Sequence, residues 1–466
     1  MNRDNVVEAL QGIVGTANVE TDVVVRDWSP LSLKGVLDDD AGRARAVVRP
    51  GTATEVAGVV AVCRDRGVAL VPIGARSGVL GGALPGGALG LDLTRLDHVG
   101  EIDRENLQIT VGAGVLGGAL EAQLRTEGFT LGLYPQSLEL ASIGGWVATR
   151  ASGTYSGHYG GVEDRLLGLE VVLADGTVCT IPAMPRCSVG PDMAGLFVGS
   201  EGTLGVITAV TLAIDPLPEA TLLRAVRFST LQDGLDAIRE TVQGGVHPAV
   251  VRLYDAEESA MLRATIQHEG AGCVLLLGFV GPATVAAAEE AFALEAAARH
   301  GAVDLGREPA HRWDANRLRV PSGFRTLTEA GVLADYLDVQ TPWRCATTVY
   351  AAVREALAIH CDTAVAHFSH VYPQGTSIYF VVSIRATTDA EAIARHQRAW
   401  DAAMAAVVSA GGAIAHHHGV GRVRTPWADE AMGGALPIWT RVRAALDPGG
   451  VFSPAVLPAS PRATDA

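Results

Sequence analysis

Residues 142–153 read SIGGWVATRASG and residues 199–208 read GSEGTLGVIT, and these two stretches decide the fold prediction. Both combine closely spaced glycines with serine or threonine. Glycine lets backbone N–H groups approach a bound group closely, because no Cβ stands in the way. The two stretches therefore predict backbone-rich walls of a ligand site.

A third glycine-rich stretch, PIGARSG at residues 72–78, follows a predicted strand and leads to Gly81 and Gly82. Its backbone N–H groups and the Ser77 hydroxyl suit a phosphate. No G-x-G-x-x-G motif lies in a predicted βαβ unit, which argues against a nicotinamide site of the Rossmann type. The three stretches are called the glycine-rich segments below.

Strand and helix signals alternate from residue 46 to residue 92, and residues 52–67 show helical spacing between a threonine cap and a terminal glycine. Asp175-Gly176 predicts a hairpin. The proline-rich stretch 215–218 marks the predicted domain boundary. Beyond it, a strand, a helix and a strand lead into long alanine-rich helices up to about residue 300, a pattern typical of an α+β cap.

The chain has 466 residues, 48% of them hydrophobic, and a net charge of −15. This length predicts two or three domains, and the acidic balance disfavours nucleic acid as a partner. No apolar run reaches the ~18 residues of a membrane span, and the amino terminus has no signal or transit character. The six cysteines lack zinc-type spacing, so we expect free thiols and a cytoplasmic protein.

Residues 415–421 read AHHHGVG and place three imidazoles in a row. With ordinary pKa values near ~6.5, such a cluster suits proton transfer near neutral pH. On a strand, His416 and His418 would share one face and His417 would take the other. A solvated histidine patch and a metal site remain alternatives, since histidines at i and i+2 can bind one ion.

In this order and spacing, the glycine-rich segments resemble those of vanillyl-alcohol-oxidase-type FAD flavoproteins, along essentially the whole chain. The resemblance implies an α+β fold with a two-subdomain FAD-binding domain, residues 1–218 completed by about 421–466, and an α+β cap over 219–420. It implies FAD without a covalent bond, because Ala75 stands where covalent members carry a histidine. The expected cofactor-binding residues are Pro72, Ile73, Gly74, Ala75, Arg76, Ser77, Gly78, Ser142, Gly144, Gly145, Thr149, Ala151, Ser152, Gly153, Glu201, Gly202, Gly205, Val206 and Ile207.

Three shorter segments resemble one branch of this family, the alkyldihydroxyacetonephosphate synthases: PRCSVGPD at 185–192, SIYF at 377–380 and HHHGVG at 416–421. That branch exchanges the acyl group of an acyl ketose phosphate for a fatty alcohol in ether lipid biosynthesis, through an adduct at flavin N5. The resemblance implies the same redox-neutral exchange here. The alternative is an FAD-linked oxidase or dehydrogenase of a hydroxy acid or alcohol.

Dehydrogenases of D-2-hydroxy acids in the same family bind a metal through two histidines and a glutamate. Here His370 keeps one of these positions, while Tyr379 and His417 stand about where the other two ligands would be. The lost ligands weaken a divalent site, so we expect no metal. The pair His367 and His370 also departs from the animal synthases, which leaves room for a different substrate.

The resemblance implies catalytic roles for Tyr379, His416, His417, His418 and Arg325. Tyr379 would act as an acid and a histidine as a base, with an ionisation near ~6–7 in the pH profile. Arg325 would hold an anionic group with its planar guanidinium. We expect an anionic or lipid-like small-molecule substrate, no nucleic-acid partner and no transmembrane segment; a homodimer is compatible with the sequence. Because a protein that only binds a flavin does not need this combination of tyrosine, histidines and arginine, the combination disfavours a flavin-binding protein without turnover.

Overall fold

The computed structural model of the chain describes residues 3–34, 39–319, 327 and 330–457. Helices and strands are mixed along this part, which confirms the predicted α+β class. The helices are α1 (Arg3–Val14), α2 (Pro30–Lys34), α3 (Asp39–Gly42), α4 (Ala53–Asp65), α5 (Gly117–Thr126), α6 (Ile143–Thr149), α7 (Ser156–Tyr159), α8 (Val162–Arg165), α9 (Leu231–Gln243), α10 (Ala256–Ile266), α11 (Ala283–Arg299), α12 (Glu308–Asn316), α13 (Ala346–Ala358), α14 (Asp389–Ser409), α15 (Gly421–Met432) and α16 (Leu436–Leu446). The strands are β1 (Val19–Glu20), β2 (Val47–Val48), β3 (Leu70–Ile73), β4 (Leu89–Asp92), β5 (Val99–Asp103), β6 (Gln108–Gly112), β7 (Phe129–Thr130), β8 (Leu166–Val172), β9 (Val178–Ile181), β10 (Val206–Ala213), β11 (Asp215–Pro216), β12 (Ala220–Phe228), β13 (Val250–Tyr254), β14 (Cys273–Gly281), β15 (Val303–Gly306), β16 (Val332–Pro342), β17 (Thr363–Tyr372) and β18 (Gly375–Arg385).

The first sheet has the strand order β1-β2-β4-β3, with β2 and β3 both parallel to β4. Helix α4 connects β2 to β3, and its ends agree with the sequence prediction. The Thr52 hydroxyl accepts the N–H of Glu55 at the start, and Gly67 follows the helix with a φ of +62°. The helical spacing is confirmed, since Val56, Val59, Val60 and Cys63 are buried in the core beside this sheet.

The second sheet is antiparallel in the order β5-β6-β10-β8-β9, and the predicted hairpin at Asp175-Gly176 joins its last two strands. Residues 112–117 read GAGVLG, so a G-x-G-x-x-G spacing does follow β6 and lead into α5. The strand after α5 is β7, which pairs with β11 in a different sheet from β6, so this is no βαβ unit. Packing explains its last glycine, where a Cβ would lie 2.1 Å from the Trp146 ring.

The third sheet is antiparallel in the order β15-β12-β14-β13-β17-β18-β16, and helices α9, α11, α13 and α14 share a core with one of its faces. The predicted alanine-rich helices up to about residue 300 are present as α10 and α11, but the prediction missed the strand β14 between them. Its side chains alternate between two hydrophobic cores, so both faces of the strand are buried. Such a strand shows no polar alternation and cannot be told from a buried helix by its pattern.

The opposite face of the third sheet turns toward the glycine-rich segments. Tyr155 and Tyr159, which follow the glycine-rich segment 142–153, pack with Tyr254 of this sheet. After the third sheet, the chain returns to the amino-terminal half, where Trp439 of α16 packs on the core beside the second sheet and Phe452 lies in the core beside the first. The domain boundary at residue 218 remains a prediction. Within the described residues, no helix is long and apolar enough to cross a membrane.

Candidate active site

A cavity of about 280 Å³ lies between the glycine-rich segments and the third sheet. Its walls combine residues of all three segments with Tyr379, His417 and His418. Ligand sites usually lie in such clefts between structural units, where a few polar groups converge on an otherwise apolar wall. The structure therefore brings the glycine-rich segments and the main candidate catalytic residues to one place.

Most of the predicted cofactor-binding residues line this cavity, and three do not. Those on its wall are Pro72, Gly74, Ala75, Arg76, Ser77, Gly78, Ser142, Gly144, Gly145, Thr149, Ala151, Ser152, Glu201, Gly202, Gly205 and Ile207. Ile73 and Val206 lie on strands with their side chains buried in hydrophobic cores. Gly153 packs against the backbone of Tyr134 instead. Neighbouring side chains of a strand point to opposite faces, which separates Val206 from Ile207.

The walls of the cavity depend on bare backbone, as the phosphates of FAD require. A Cβ on Gly74 would lie 2.4 Å from the Ser142 Oγ, and one on Gly202 would lie 2.8 Å from the Pro72 ring. Arg76 and Glu201 adopt left-handed backbone, with φ of +61° and +49°. Such strained residues cluster at ligand sites. The residues present therefore fit the cofactor.

Three neighbouring strands bring Asp338, Tyr379 and His367 side by side. Tyr379 on β18 is the register partner of Asp338 on β16 and of His367 on β17. The His367 ring stacks on the Tyr379 ring, with centroids 5.0 Å apart and 13° between the planes. Because Ile378 and Phe380 are buried in the core on the other face, Tyr379 points toward the cavity.

Tyr379 joins two of the three consecutive histidines. Its hydroxyl lies 2.5 Å from Nε2 of His417 and 3.3 Å from Nε2 of His418. Burial, assisted by the charge of Asp338, raises the pKa of Tyr379 well above 10, so its hydroxyl stays protonated and donates. Burial and the neighbouring imidazoles hold the pKa of His417 well below 6.5, so this ring is neutral and accepts. A protonated acid is thus hydrogen-bonded directly to a neutral base.

The three histidines lie in a turn and not on a strand, so the predicted alternation of faces is wrong. The backbone N–H groups of His416 and His417 each donate to Oδ2 of Asp338 at 2.8 Å, and that of His418 donates at 3.4 Å. A strand could not direct three consecutive N–H groups to one acceptor, because they alternate in direction. Asp338 therefore fixes the conformation of the histidine turn.

The Asp338 carboxylate is itself buried and held by charge. Its Oδ1 lies 2.7 Å from Nη2 of Arg424 and 2.9 Å from Nδ1 of His418. Burial would raise the pKa of Asp338, but Arg424, His418 and His417 outweigh it and keep this pKa well below its usual value. The carboxylate thus stays ionised and positions both the backbone and one ring of the histidine turn.

His416 lies behind His417 and is not part of the cavity wall. Its Nδ1 lies 2.7 Å from Nδ1 of His417, and its Nε2 lies 2.8 Å from the Tyr372 hydroxyl. Since neutral His417 accepts at Nε2, its proton is on Nδ1 and is donated to His416, which in turn donates to Tyr372. Tyr379, His417, His416 and Tyr372 form a hydrogen-bonded chain from the cavity to a residue that is 38% exposed.

His370 occupies a bulge in β17, where the pairing with β18 shifts between Ser369 and Val371. Ligand atoms of His370, His416 and His417 all lie within 4.8 Å of one another, a spacing that suits a metal ion. However, His416 and His417 approach to 2.7 Å through their Nδ1 atoms. Two nitrogens on tetrahedral zinc would be about 3.3 Å apart. An ion bound through these two Nδ1 atoms would therefore require one of the two rings to move.

Glu201, which lies in the glycine-rich segment 199–208, connects that segment to the histidine turn. Its carboxylate accepts the N–H groups of Val420 and Gly421 at 2.6 and 2.8 Å. Burial raises the pKa of Glu201 to about 7 despite these two hydrogen bonds and the charge of Arg424. Glu201 thus braces the turn while also lining the cavity.

The structure adds residues that the sequence reasoning missed. Asp338 and Arg424 form a buried ion pair beneath the histidine turn, and Arg424 is fully buried. The available signal for Asp338 was an acid within the apolar strand 332–342. Arg325 lies outside the described residues, so its role stays a prediction.

Neutral histidines at this site predict that acid will destabilise the protein. Burial lowers the pKa of His416 to about 4 and also lowers those of His367, His370 and His417. Unfolded histidines titrate near ~6.5, so below that pH the unfolded chain binds protons that the native site refuses. Stability from these groups is present above pH ~6.5 and is lost as the pH falls; His416 alone accounts for ~3 kcal/mol by pH ~4.

Denaturant unfolding between pH 7.5 and pH 4 measures this effect. We expect the free energy of unfolding to fall below pH ~6.5, and His416→Gln should make the fall shallower. Equal slopes for the two proteins would contradict the neutral state of His416. For the same reason, if the catalytic base is His416 or His417, its ionisation in the pH profile of activity should lie below the pH of ~6–7 that the sequence predicts.

Comparison with known proteins agrees with this geometry. The chain matches family models for an FAD binding domain over residues 44–182 and for the C-terminal domain of FAD linked oxidases over residues 217–457. The uncharacterized FAD-linked oxidoreductase YgcU of Escherichia coli O157:H7 is 30% identical over 476 residues, which cover 97% of this chain and 98% of that protein. Alkyldihydroxyacetonephosphate synthase of Caenorhabditis elegans is 28% identical over 449 residues, covering 88% of this chain and 75% of that protein. In structure, the chain is similar to 4-ethylphenol oxidase from Gulosibacter chungangensis, with a TM-score of 0.80 at 18% identity over 98% of each chain.

The family models and the cavity together define an FAD-binding flavoprotein, and its fold is similar to that of 4-ethylphenol oxidase. The chain belongs to the FAD-linked oxidase family, and it is an FAD-dependent enzyme.

The mode of FAD attachment gives a separate prediction. Ala75 lines the cavity, and its methyl group cannot form a bond to the flavin. We expect acid or heat precipitation to release all the flavin into the supernatant, measured by its absorbance. Yellow colour that stays with the washed, denatured protein would contradict non-covalent binding.

Proposed function

We propose that this enzyme exchanges the acyl group of an acyl ketose phosphate for an alcohol, as alkyldihydroxyacetonephosphate synthases do. The observation that carries the proposal is the 2.5 Å contact between the Tyr379 hydroxyl and Nε2 of His417 on the wall of the FAD cavity. The exchange requires an acid for the leaving carboxylate and a base for the substrate carbon, and these two groups can serve as that pair. Similarity to the synthase of Caenorhabditis elegans supports this reading.

In this mechanism, FAD would supply an electrophilic centre, and residues of the protein supply the acid, the base and the anion-binding group. His417 takes a proton from the carbon next to the carbonyl and later returns it, and Tyr379 protonates the departing carboxylate. Arg325 holds the phosphate. One carbon–oxygen bond to the acyl group breaks and one to the alcohol forms, and the proton that the alcohol gives up offsets the one that Tyr379 loses, so neither an electron acceptor nor a net proton is consumed.

The hydrogen-bonded chain that runs from His417 to Tyr372 gives His416 a role, although His416 does not line the cavity. After Tyr379 has given up its proton, the path through His417 and His416 to Tyr372 can return one from outside. Each hydrogen bond in this path is between neutral groups that both donate and accept, which is what stepwise proton transfer requires. We therefore include His416 in the proposed proton path and His418 as a second partner of Tyr379.

The alternative function is oxidation of a hydroxylated small molecule by an FAD-linked oxidase or dehydrogenase. The grouping of His370, His416 and His417 favours this alternative, because a metal there could activate a hydroxyl group. Removal of metal separates the two readings. The exchange should survive dialysis against a chelator unchanged, whereas a metal-dependent dehydrogenase should lose its activity and regain it with zinc or manganese.

One assay tests the proposal. Purified FAD-loaded enzyme is incubated without oxygen or dye with acyl-dihydroxyacetone phosphate and a deuterated long-chain alcohol, and the products are analysed by mass spectrometry. We expect labelled ether product and free fatty acid in equal amounts. Absence of the ether, together with dye reduction by an alcohol or hydroxy acid, would overturn the exchange and favour the alternative.

A further inference from the structure

We propose that Arg252 and Ser369 form a subsite for an oxyanion of the substrate, with a carboxylate as the better fit. The proposal rests on the proposed function in that the anion belongs to the reacting substrate. A second cavity, of about 30 Å³, is lined by both residues and also by His370, Tyr379 and His417. This small cavity therefore adjoins the acid–base pair.

Two unsatisfied polar groups meet at this cavity. Arg252 on β13 is the register partner of Ser369 on β17, so the two are direct neighbours across the strands. The Nε of Arg252 and the Oγ of Ser369 are both buried, and neither has a hydrogen-bond partner among the residues that the structure describes. Buried polar groups are nearly always paired, so each exception requires an explanation. A bound oxyanion would satisfy both groups at once.

The other contacts of Arg252 hold the guanidinium in place without neutralising it. Its Nη2 lies 2.7 Å from Nε2 of His367, and Nδ1 of His367 lies 2.9 Å from Glu258. Since arginine stays protonated, Nε2 of His367 accepts and its Nδ1–H donates to Glu258. Among the described residues, no carboxylate forms an ion pair with Arg252 directly. Arg424 differs in this respect, because Asp338 pairs with it.

Shape and position favour a carboxylate at this subsite. A planar carboxylate matches the guanidinium fork and takes less room than a tetrahedral phosphate. An anion held by Arg252 would place its attached carbon beside Tyr379 and His417, which line the same cavity. In the proposed exchange, this anion is the departing fatty carboxylate, whereas Arg325 is left for the phosphate. In the alternative function, it is the carboxylate of a hydroxy acid.

Anion binding to the FAD-loaded enzyme tests the subsite without turnover. Butyrate, glycolate and inorganic phosphate are titrated separately, and the flavin difference spectrum and the thermal unfolding midpoint are recorded. We expect saturable binding of the carboxylates, weakened at least ~10-fold by Arg252→Lys and more modestly by Ser369→Ala, because a point charge and a methyl group do not replace these donors. Arg224→Lys is the matched control on the same sheet, since Arg224 pairs with Asp304 away from the cavity, and it should bind like the wild type.

The outcomes separate the possible failures. Equal carboxylate binding by the wild type and both site variants, or no saturable signal in the wild type, would overturn the subsite. Variant-sensitive binding of phosphate in preference to carboxylates would overturn the carboxylate assignment. If Arg252→Lys loses FAD or unfolds at a much lower temperature, the carboxylate affinity of Ser369→Ala tests the subsite instead, because that substitution removes one hydroxyl only. Variant-sensitive carboxylate binding without any exchange activity would support the subsite and refute the proposed function alone.

Discussion

Replacing Tyr379 with phenylalanine is expected to lower kcat/KM at least ~100-fold while FAD remains bound. The substitution removes one hydroxyl that lies 2.5 Å from Nε2 of His417, and no other hydroxyl group is in contact with that nitrogen in the described structure. The ring itself, stacked on His367, would keep its place. Steady-state kinetics together with the flavin-to-protein ratio measures the effect.

Tyr350→Phe is the matched control for this prediction. Its hydroxyl is also hydrogen-bonded, at 3.0 Å to Oδ2 of Asp255, but it lies outside the cavity wall. We expect this variant to lose some stability and to keep its activity. Near-normal turnover of Tyr379→Phe with full FAD loading would refute the assignment of Tyr379 as the acid.

Replacing Asp338 with asparagine is expected to cost about 3–5 kcal/mol of unfolding free energy, because it leaves Arg424 buried without a counter-charge. Asp338 accepts hydrogen bonds from three backbone N–H groups and from Arg424. Asparagine would place an NH₂ group opposite some of these donors, so those hydrogen bonds would be lost. The histidine turn should lose its fixed conformation, so activity should fall in the fraction that still folds. Urea unfolding measures the first effect.

A double-mutant cycle separates the ion pair from the turn. Arg424→Met combined with Asp338→Asn removes both charges, so its cost should be clearly smaller than the sum of the two single costs. The activity of the double variant should stay low, because the histidine turn still lacks its acceptor. Additive costs, or restored activity, would contradict the proposed role of Asp338.

Local patterns were sufficient to predict much of the fold. Glycine spacing identified the segments that form the cavity wall, and the Thr52 cap and Asp175-Gly176 turn were read correctly because each depends on neighbouring residues only. Strand β14 was missed because its residues are apolar on both faces. Only the packing of two cores, and not the local sequence, distinguishes such a strand from a helix.

The candidate site was less accessible to sequence reasoning, because its contacts join distant parts of the chain. Asp338 reaches the histidine turn across about eighty residues, and Arg252 meets Ser369 only through the pairing of β13 with β17. The low pKa of His416 likewise arises from burial, and a run of three histidines does not reveal whether it is buried. The sequence was sufficient to identify the candidate catalytic side chains, whereas their protonation states and hydrogen-bond partners depend on the fold.

A crystal structure of the FAD-loaded enzyme would show whether the flavin and the acid–base pair share one site. The measured quantity is the distance from the reactive N5 atom of the flavin to Nε2 of His417 and to the Tyr379 hydroxyl. The proposed active site requires the flavin ring to lie in the cavity between the glycine-rich segments and the third sheet, with both atoms within one substrate's reach of N5. A flavin more than ~15 Å from His417 would contradict it, because groups so far apart cannot act on one substrate.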